Sequence, residues 1–297
     1  MQYYHGDQPG GTPGLIDAPY SWWEGGALFG QLIEYWYYTG DDTYNQKILD
    51  GMMFQLGDHN DFMPRNQTTT EGNDDQVFWA FAAMSAAEMN FPNPPADKPQ
   101  WLALAQAIFN EQANRWDTQD CSGGLRWQIE PYAPGYNYKN TPSNAGLFQL
   151  AARLAMYTQN GTYAEWANKV YDWMAGSPII GQNYKVNDGT SINNGCADAD
   201  QRDWTYNYGQ MISGCAYVST TEVHCGFCLA AADVFGFRCG TTPRDKISGL
   251  SDWTVLLTAA LNIYFRHGRI RKRLFWSRPV SRRSSVTSIS RLSRLIL

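Results

Sequence analysis

The chain has 297 residues and a mass of 33.6 kDa, room for one large domain or two small ones. Apolar residues make up 43%, which excludes wholesale disorder, while charged residues reach only 17%, below the roughly 25% of an average soluble domain. With 14% aromatics and a net charge of −5, the surface leans on rings, amides and hydroxyls; it suits neutral polar ligands, sugars foremost, and speaks against a nucleic-acid binder.

The net charge hides a split. Residues 266–297 carry ten basic side chains and no acid, whereas the rest of the chain holds 13 bases and 28 acids. Residues 1–265 therefore read as the folded body and 266–297 as a basic, Ser/Arg-rich tail expected to be disordered. No segment reaches the length of a membrane span; Trp253 to Phe265 comes nearest and reads as a buried helix. The start, Met1-Gln2-Tyr3-Tyr4-His5-Gly6, lacks the basic and apolar regions of a signal peptide. Six cysteines and the sequons at Asn66 and Asn160 are compatible with a secreted protein whose leader is missing from this chain.

In chain order, the body reads as paired helices. Ser21-Trp22-Trp23-Glu24 is a capping box, followed by an apolar helical stretch to Gly40. Asp42 is expected to cap a second helix that places Tyr44, Ile48, Met52 and Leu56 on one face and stops at Gly57. A polar loop from Asp58 to Gly72 leads to an alanine-rich third helix over Asp74–Met89. Prolines 92, 94, 95 and 99 separate it from a fourth over Trp101–Trp116. A long Gly/Pro/Tyr/Asn loop runs from Thr118 to Thr141, and helices five and six cover Ser143–Tyr157 and Thr162–Met174. A second long loop, Gly176 to Asp203, precedes a seventh helix near Tyr206–Tyr217. No stretch alternates with period two, so no major sheet is expected. Leu28-Phe29, Tyr38-Thr39 and Tyr44 recur as Leu147-Phe148, Tyr157-Thr158 and Tyr163, one helical hairpin used twice, which suggests a solenoid or a closed α/α toroid.

Four constellations could carry chemistry. Glu71-Gly72-Asn73-Asp74-Asp75-Gln76 sits at a loop-to-helix junction, where two adjacent carboxylates can face one cleft as a glycosidase pair, or can simply complement the helix dipole. Cys121-Ser122-Gly123-Gly124-Leu125-Arg126-Trp127 is followed by Tyr136-Asn137-Tyr138-Lys139-Asn140. There Gly123 and Gly124 would let backbone approach a ligand, Trp127 and Tyr138 would stack on sugar, and Lys139 and Asn140 would bind hydroxyls; a long loop held by aromatic packing is the alternative. Asp203-Trp204-Thr205-Tyr206-Asn207-Tyr208-Gly209 and the Trp22-Trp23 pair each enter a helix and read as walls or as core. The Cys225–Cys228 CxxC lacks the second ligand pair of a zinc site, the histidines form no ligand spacing, and no nucleotide fingerprint occurs, so neither metal nor cofactor is expected.

Together these motifs resemble the fungal branch of glycoside hydrolase family 76, the mannan endo-1,6-α-mannosidases. The resemblance is carried by Tyr3-Tyr4-His5-Gly6, Pro19-Tyr20-Ser21-Trp22-Trp23-Glu24-Gly25-Gly26-Ala27, Asn73-Asp74-Asp75-Gln76, Gly123-Gly124-Leu125-Arg126-Trp127, Tyr136-Asn137-Tyr138-Lys139-Asn140 and Trp204-Thr205-Tyr206-Asn207-Tyr208-Gly209, in order over about residues 3–217. It implies an all-α (α/α)6 toroid and retaining, endo-acting hydrolysis of α-1,6-mannosidic bonds, with Asp74 as nucleophile and Asp75 as general acid/base. It further implies mannan or mannose-containing glycans as partners, no cofactor, and a secreted or cell-wall location, often with a lipid anchor. Transglycosylation of anchor glycans onto wall polysaccharide and a sugar-binding relic without catalysis are the alternative readings. The match fades after Tyr217, so the barrel reads as incomplete in this chain. Within the matched region Cys121 and Cys196 both fall in the long loops that a toroid gathers at its cleft, and they are the expected disulfide.

Overall fold

The computed structural model describes residues 1–67 and 69–218. The basic tail, the CxxC and the apolar stretch at 253–265 lie outside the described residues.

Among the described residues seven α-helices alternate between two layers: α1 (Trp22–Thr39), α2 (Asn45–Phe54), α3 (Asn73–Glu88), α4 (Trp101–Asn114), α5 (Thr141–Thr158), α6 (Gly161–Gly176) and α7 (Thr205–Val218). α1 packs on α3, α3 on α5 and α5 on α7, while α2, α4 and α6 each back onto the preceding helix. The odd helices thus form an inner layer and the even ones an outer layer, the arrangement of an α/α toroid of helical hairpins. Burial follows the layers. In α5 every residue from Thr141 to Ala155 is buried, whereas α6 buries only the stripe Tyr163, Ala167, Val170, Tyr171 and Met174, the one-sided pattern of an outer helix.

Small residues let the inner helices approach. Gly30 of α1 lies against Ala82 of α3, and Gly26 lies against Trp79, which is fully buried. Trp22, Phe29 and Phe62 surround the Trp79 ring with centroids at 5.2, 6.0 and 5.3 Å. Towards the other end of the inner layer, Arg153 of α5 forks onto Glu88 of α3, Nε to Oε1 at 3.1 Å and Nη2 to Oε2 at 2.7 Å, and the Tyr217 hydroxyl of α7 donates to the same carboxylate at 3.3 Å. A bidentate pair of this kind holds three inner helices in register.

The termini show which local signals the chain obeys. Glu24 accepts the Ser21 backbone N–H at 2.5 Å, closing α1 as the capping box requires, and Gly40 ends it at φ 71°. Asp42 does not cap α2. Asp41 takes both the backbone N–H and the hydroxyl of Thr43, so the turn is spent on an Asx arrangement and the helix begins at Asn45 behind Tyr44. Its last turn also falls short of Leu56 and Gly57.

The long loops are not structureless. They build a small antiparallel sheet in the order β1 (Tyr138–Asn140), β2 (Gly189–Ser191), β3 (Ala199–Asp200), with Tyr138 opposite Ser191 and Gly189 opposite Asp200. β1 runs directly into α5, so the sheet sits at the N-terminal end of the inner layer.

Candidate active site

The inner helices share one direction, and the N-termini of α3, α5 and α7 meet beside the sheet. The start of α3 is fixed from outside: the Asn73 backbone N–H donates to the Trp127 carbonyl at 2.8 Å, the Asn73 amide donates to the Arg126 carbonyl at 2.9 Å, and Gly72 bridges Gln128. In turn the Trp127 N–H donates to the Tyr138 carbonyl at 2.6 Å. The segment 125–128 therefore ties the first turn of α3 to β1.

Asp74 and Asp75 occupy this first turn, both half-buried. Asp74 accepts on both oxygens: the Asp75 N–H on Oδ1 at 2.9 Å and the Asn140 side-chain amide on Oδ2 at 2.8 Å. Asp75 reaches back to the N-cap, taking the Gly72 N–H on Oδ2 at 2.7 Å, with no donor on Oδ1 among the described residues. Burial pushes both carboxyls above the usual range, and for Asp74 the Asp75 charge adds to it, while the donated hydrogen bonds pull the other way. Two such close acids titrate as a pair. Burial and hydrogen bonding disagree about which of them keeps the proton. Asp74 accepts two N–H groups to one at Asp75, which favours the anion at Asp74, whereas its deeper burial favours the proton there.

A buried polar floor lies beneath the pair. Arg115 donates to Asn73 Oδ1 at 3.0 Å and to Gln76 Oε1 at 2.7 Å, and its other nitrogen bonds Glu111 at 3.0 Å. Gln112 donates to the Asn73 carbonyl at 2.7 Å, and Gln76 donates to the Asp61 carbonyl at 2.9 Å.

Of the residues singled out in the sequence, Asp74, Asp75, Trp127, Tyr138, Asn140 and Tyr206 come together here. Asn140 is the N-cap of α5, its Oδ1 accepting the Ser143 N–H while its Nδ2 serves Asp74. Tyr138 points to the same face of β1 and donates to Asp188 at 3.0 Å. Asp188 also meets Arg202 at 3.2 Å, and neither was found in the sequence. Tyr206 is 41% exposed, stacks on Trp204 at 5.9 Å, and has its hydroxyl pKa raised by burial and by the charges of Asp188 and Asp74. Trp127 is 36% exposed, its ring lying on Gly135 and edge-on to Tyr138 at 6.4 Å.

Others have packing roles. Trp22 is stacked on Trp79 in the core and donates its Nε1–H to Gln55 at 2.9 Å; Trp23 is half-buried against Phe78 at 4.6 Å. Gly124, at φ 97°, lies under Trp173, and Gly123 lies under Trp116 and Trp173, so their missing Cβ atoms make room for tryptophan and not for ligand. Lys139 alternates to the opposite face of β1 from Tyr138 and Asn140. It is fully buried, donating to the carbonyls of Asp120 and Gly123 at 2.6 Å each and pairing with Asp117 at 3.1 Å, so no donor remains for a sugar. Arg126 joins Asp117 and Asp120 at 2.9 and 2.5 Å, and Cys121 is bonded to Cys196. Asn207 is fully buried, without a hydrogen bond to its side chain among the described residues. Both sequon asparagines, Asn66 and Asn160, are exposed, the latter as the N-cap of α6. Among the described residues no cluster of His, Cys, Asp and Glu has the geometry of a metal site.

The model of glycosyl hydrolase family 76 matches residues 1–221. The chain belongs to this family. It is 54% identical over 220 residues to mannan endo-1,6-alpha-mannosidase DCW1 of Candida glabrata, covering 73% of this chain and 49% of that protein. It is 46% identical over 220 residues to mannan endo-1,6-alpha-mannosidase DFG5 of Saccharomyces cerevisiae, covering 73% and 48%. The crystal structure of Dfg5 from Chaetomium thermophilum in complex with glucosamine superposes with a TM-score of 0.73 at 48% identity, over 75% of this chain and 57% of that one. An inactive variant of an alpha-1,6-mannanase of Salegentibacter in complex with alpha-1,6-mannotetrose shares the fold, with a TM-score of 0.60 at 19% identity over 76% of this chain and 66% of that one. This family 76 chain spans about half the length of the curated relatives it matches.

Proposed function

We propose that the chain carries the catalytic half-site of an endo-acting, retaining mannosidase that cleaves α-1,6-mannosidic bonds in mannan or wall glycans. The observation that supports this best is the unequal hydrogen bonding of two adjacent, poorly solvated acids. In this reading Asp74, held ionised and oriented by Asn140, attacks the anomeric carbon. Asp75, its Oδ1 free to carry a proton, gives that proton to the leaving oxygen. Asp75 then takes a proton from water, which opens the glycosyl-Asp74 ester and regenerates the pair. The helix start lowers the cost of the anion at Asp74. Trp127 and Tyr206 supply ring faces, and a groove of about 340 Å³ beside Tyr138, bounded by Tyr136, Asn137, Ser191 and Asn193, offers neutral polar groups to a sugar chain.

The names of the relatives favour the same substrate class. An extracellular location, at the wall, fits the exposed sequons and the Cys121–Cys196 bond; no described helix is long and apolar enough to cross a membrane. Incubation with α-1,6-manno-oligosaccharides, with and without a glucan acceptor, tests the proposal. Shorter free oligosaccharides of retained anomeric configuration are expected. A joined product only would assign the same two acids to transfer, and retention without turnover would leave a binding protein.

A further inference from the structure

Three residues before Asp74 the chain buries another acid. Glu71 is 3% exposed, and neither carboxyl oxygen has a hydrogen-bond partner among the described residues. The donors that could have served it are committed elsewhere. The Gly72 N–H goes to Asp75, the Asn73 N–H to the Trp127 carbonyl, and the Gln76 amide to the Asp61 carbonyl. The one nearby cation among the described residues, Arg115, is bonded to Asn73, Gln76 and Glu111. The charged groups facing Glu71 are Asp75 from α3, Asp61 from the preceding loop and Arg115 from the end of α4, with Glu111 behind Arg115. A carboxylate in such a place would have neither water nor donors, and two acids for neighbours; the cost of an unpaired buried charge is avoided only by keeping the proton.

We propose that Glu71 is a buried, neutral carboxylic acid at the pH at which the pair works, so that Asp75 has no second negative neighbour. The inference rests on the assignment of Asp75 as acid/base for its catalytic meaning, but not for its protonation state. Burial first, then the charges of Asp75 and Asp61, push Glu71 up to about 9. During the reaction Asp74 becomes an ester as Asp75 becomes an anion, so the pair keeps one negative charge throughout. A neutral Glu71 leaves that balance undisturbed; an ionised one would make Asp75 a poorer acid in the first step.

Infrared spectroscopy of the protein with carboxyl-labelled glutamate reads the state directly. At pH 7 a protonated glutamate carbonyl band is expected, absent from Glu71→Gln, and from Glu71→Met should the first variant not fold. Its alkaline titration midpoint is expected to fall by about one pH unit in Asp75→Asn, because coupling between two sites is reciprocal. The alkaline limb of kcat/KM on manno-oligosaccharides is expected at the same pH, within about 0.3 units, in wild type and Glu71→Gln, since no charge beside Asp75 has been removed. Thermal stability supplies another reading. A carboxyl raised in the folded state contributes stability that is complete below its unfolded pKa and lost as pH rises through its folded one. Tm should therefore decline from about pH 4.5 towards 9 more steeply in wild type than in Glu71→Gln. No protonated band at pH 7, a midpoint unmoved by Asp75→Asn, or an acidward shift of the limb by about one unit in Glu71→Gln would each overturn the proposal. A band that is present and coupled in a protein that does not turn over mannan would leave Glu71 as assigned and remove the mannosidase reading instead.

Discussion

The first turn of α3 and the loop behind β1 both bury charge, and they treat it in opposite ways. Behind β1, Lys139, Arg126, Asp117 and Asp120 are mutually paired, and the Lys139 ammonium has its remaining donors on carbonyls. At α3, Asp74, Asp75 and Glu71 crowd together with no cation among the described residues bonded to any of them. Paired charges fix a loop. Crowded acids without a cation keep at least one proton at neutral pH, which is of use to chemistry.

If that contrast is right, substitutions on the two sides should separate activity from stability. The largest effect is expected at the pair: Asp74→Asn and Asp75→Asn should each lower mannan cleavage at least about 1,000-fold with the fold intact by circular dichroism. With an activated leaving group, azide should rescue Asp75→Asn and give a glycosyl azide of retained α configuration. Rescue of Asp74→Asn with the β product is the response of a nucleophile variant, and finding the two responses exchanged would exchange the roles. Lys139→Met should do the converse, leaving Asp117 to Arg126 alone and the Asp120 and Gly123 carbonyls without their donor, at a cost of about 3 kcal/mol in denaturant unfolding. A variant with full stability and a raised KM would return Lys139 to the sugar. Next comes the bond between Cys121 and Cys196, which spans 75 residues. Replacing both by Ser should cost about 2–4 kcal/mol, read as a lower Tm under oxidising conditions. Smallest is Trp127→Ala, expected to raise KM about tenfold, close to 1.4 kcal/mol, with Tm nearly unchanged. A large fall in Tm with unaltered KM would make that ring a packing residue.

The helices were legible because their stop and start signals are local: Ser21 with Glu24, Gly40, the prolines at 92–99. The paired acids were legible through the block Asn73-Asp74-Asp75-Gln76. Lys139 was misread for a physical reason. A strand of three residues is too short for its alternation to show, so nothing in Tyr138-Lys139-Asn140 says that the middle side chain leaves the cleft. Trp22 and Gly124 misled for the opposite reason, since a tryptophan or a glycine at a helix start or loop serves packing and ligand equally well until a partner such as Trp79 or Trp173 is seen. Asp188 and Arg202 lie in a loop without periodicity, and their link to Tyr138 closes over 50 residues or more.

Asn140 shows how narrow the choice of residue can become. As helix caps, asparagine and aspartate are nearly equivalent. Here the amide is used from both ends, its oxygen toward Ser143 and its nitrogen toward Asp74. Aspartate would keep the cap, lose the donor and set a third carboxylate against the pair. The two residues are a single nucleotide apart in the genetic code, so a one-step change that an ordinary cap tolerates is closed at this one by the orientation of one side chain.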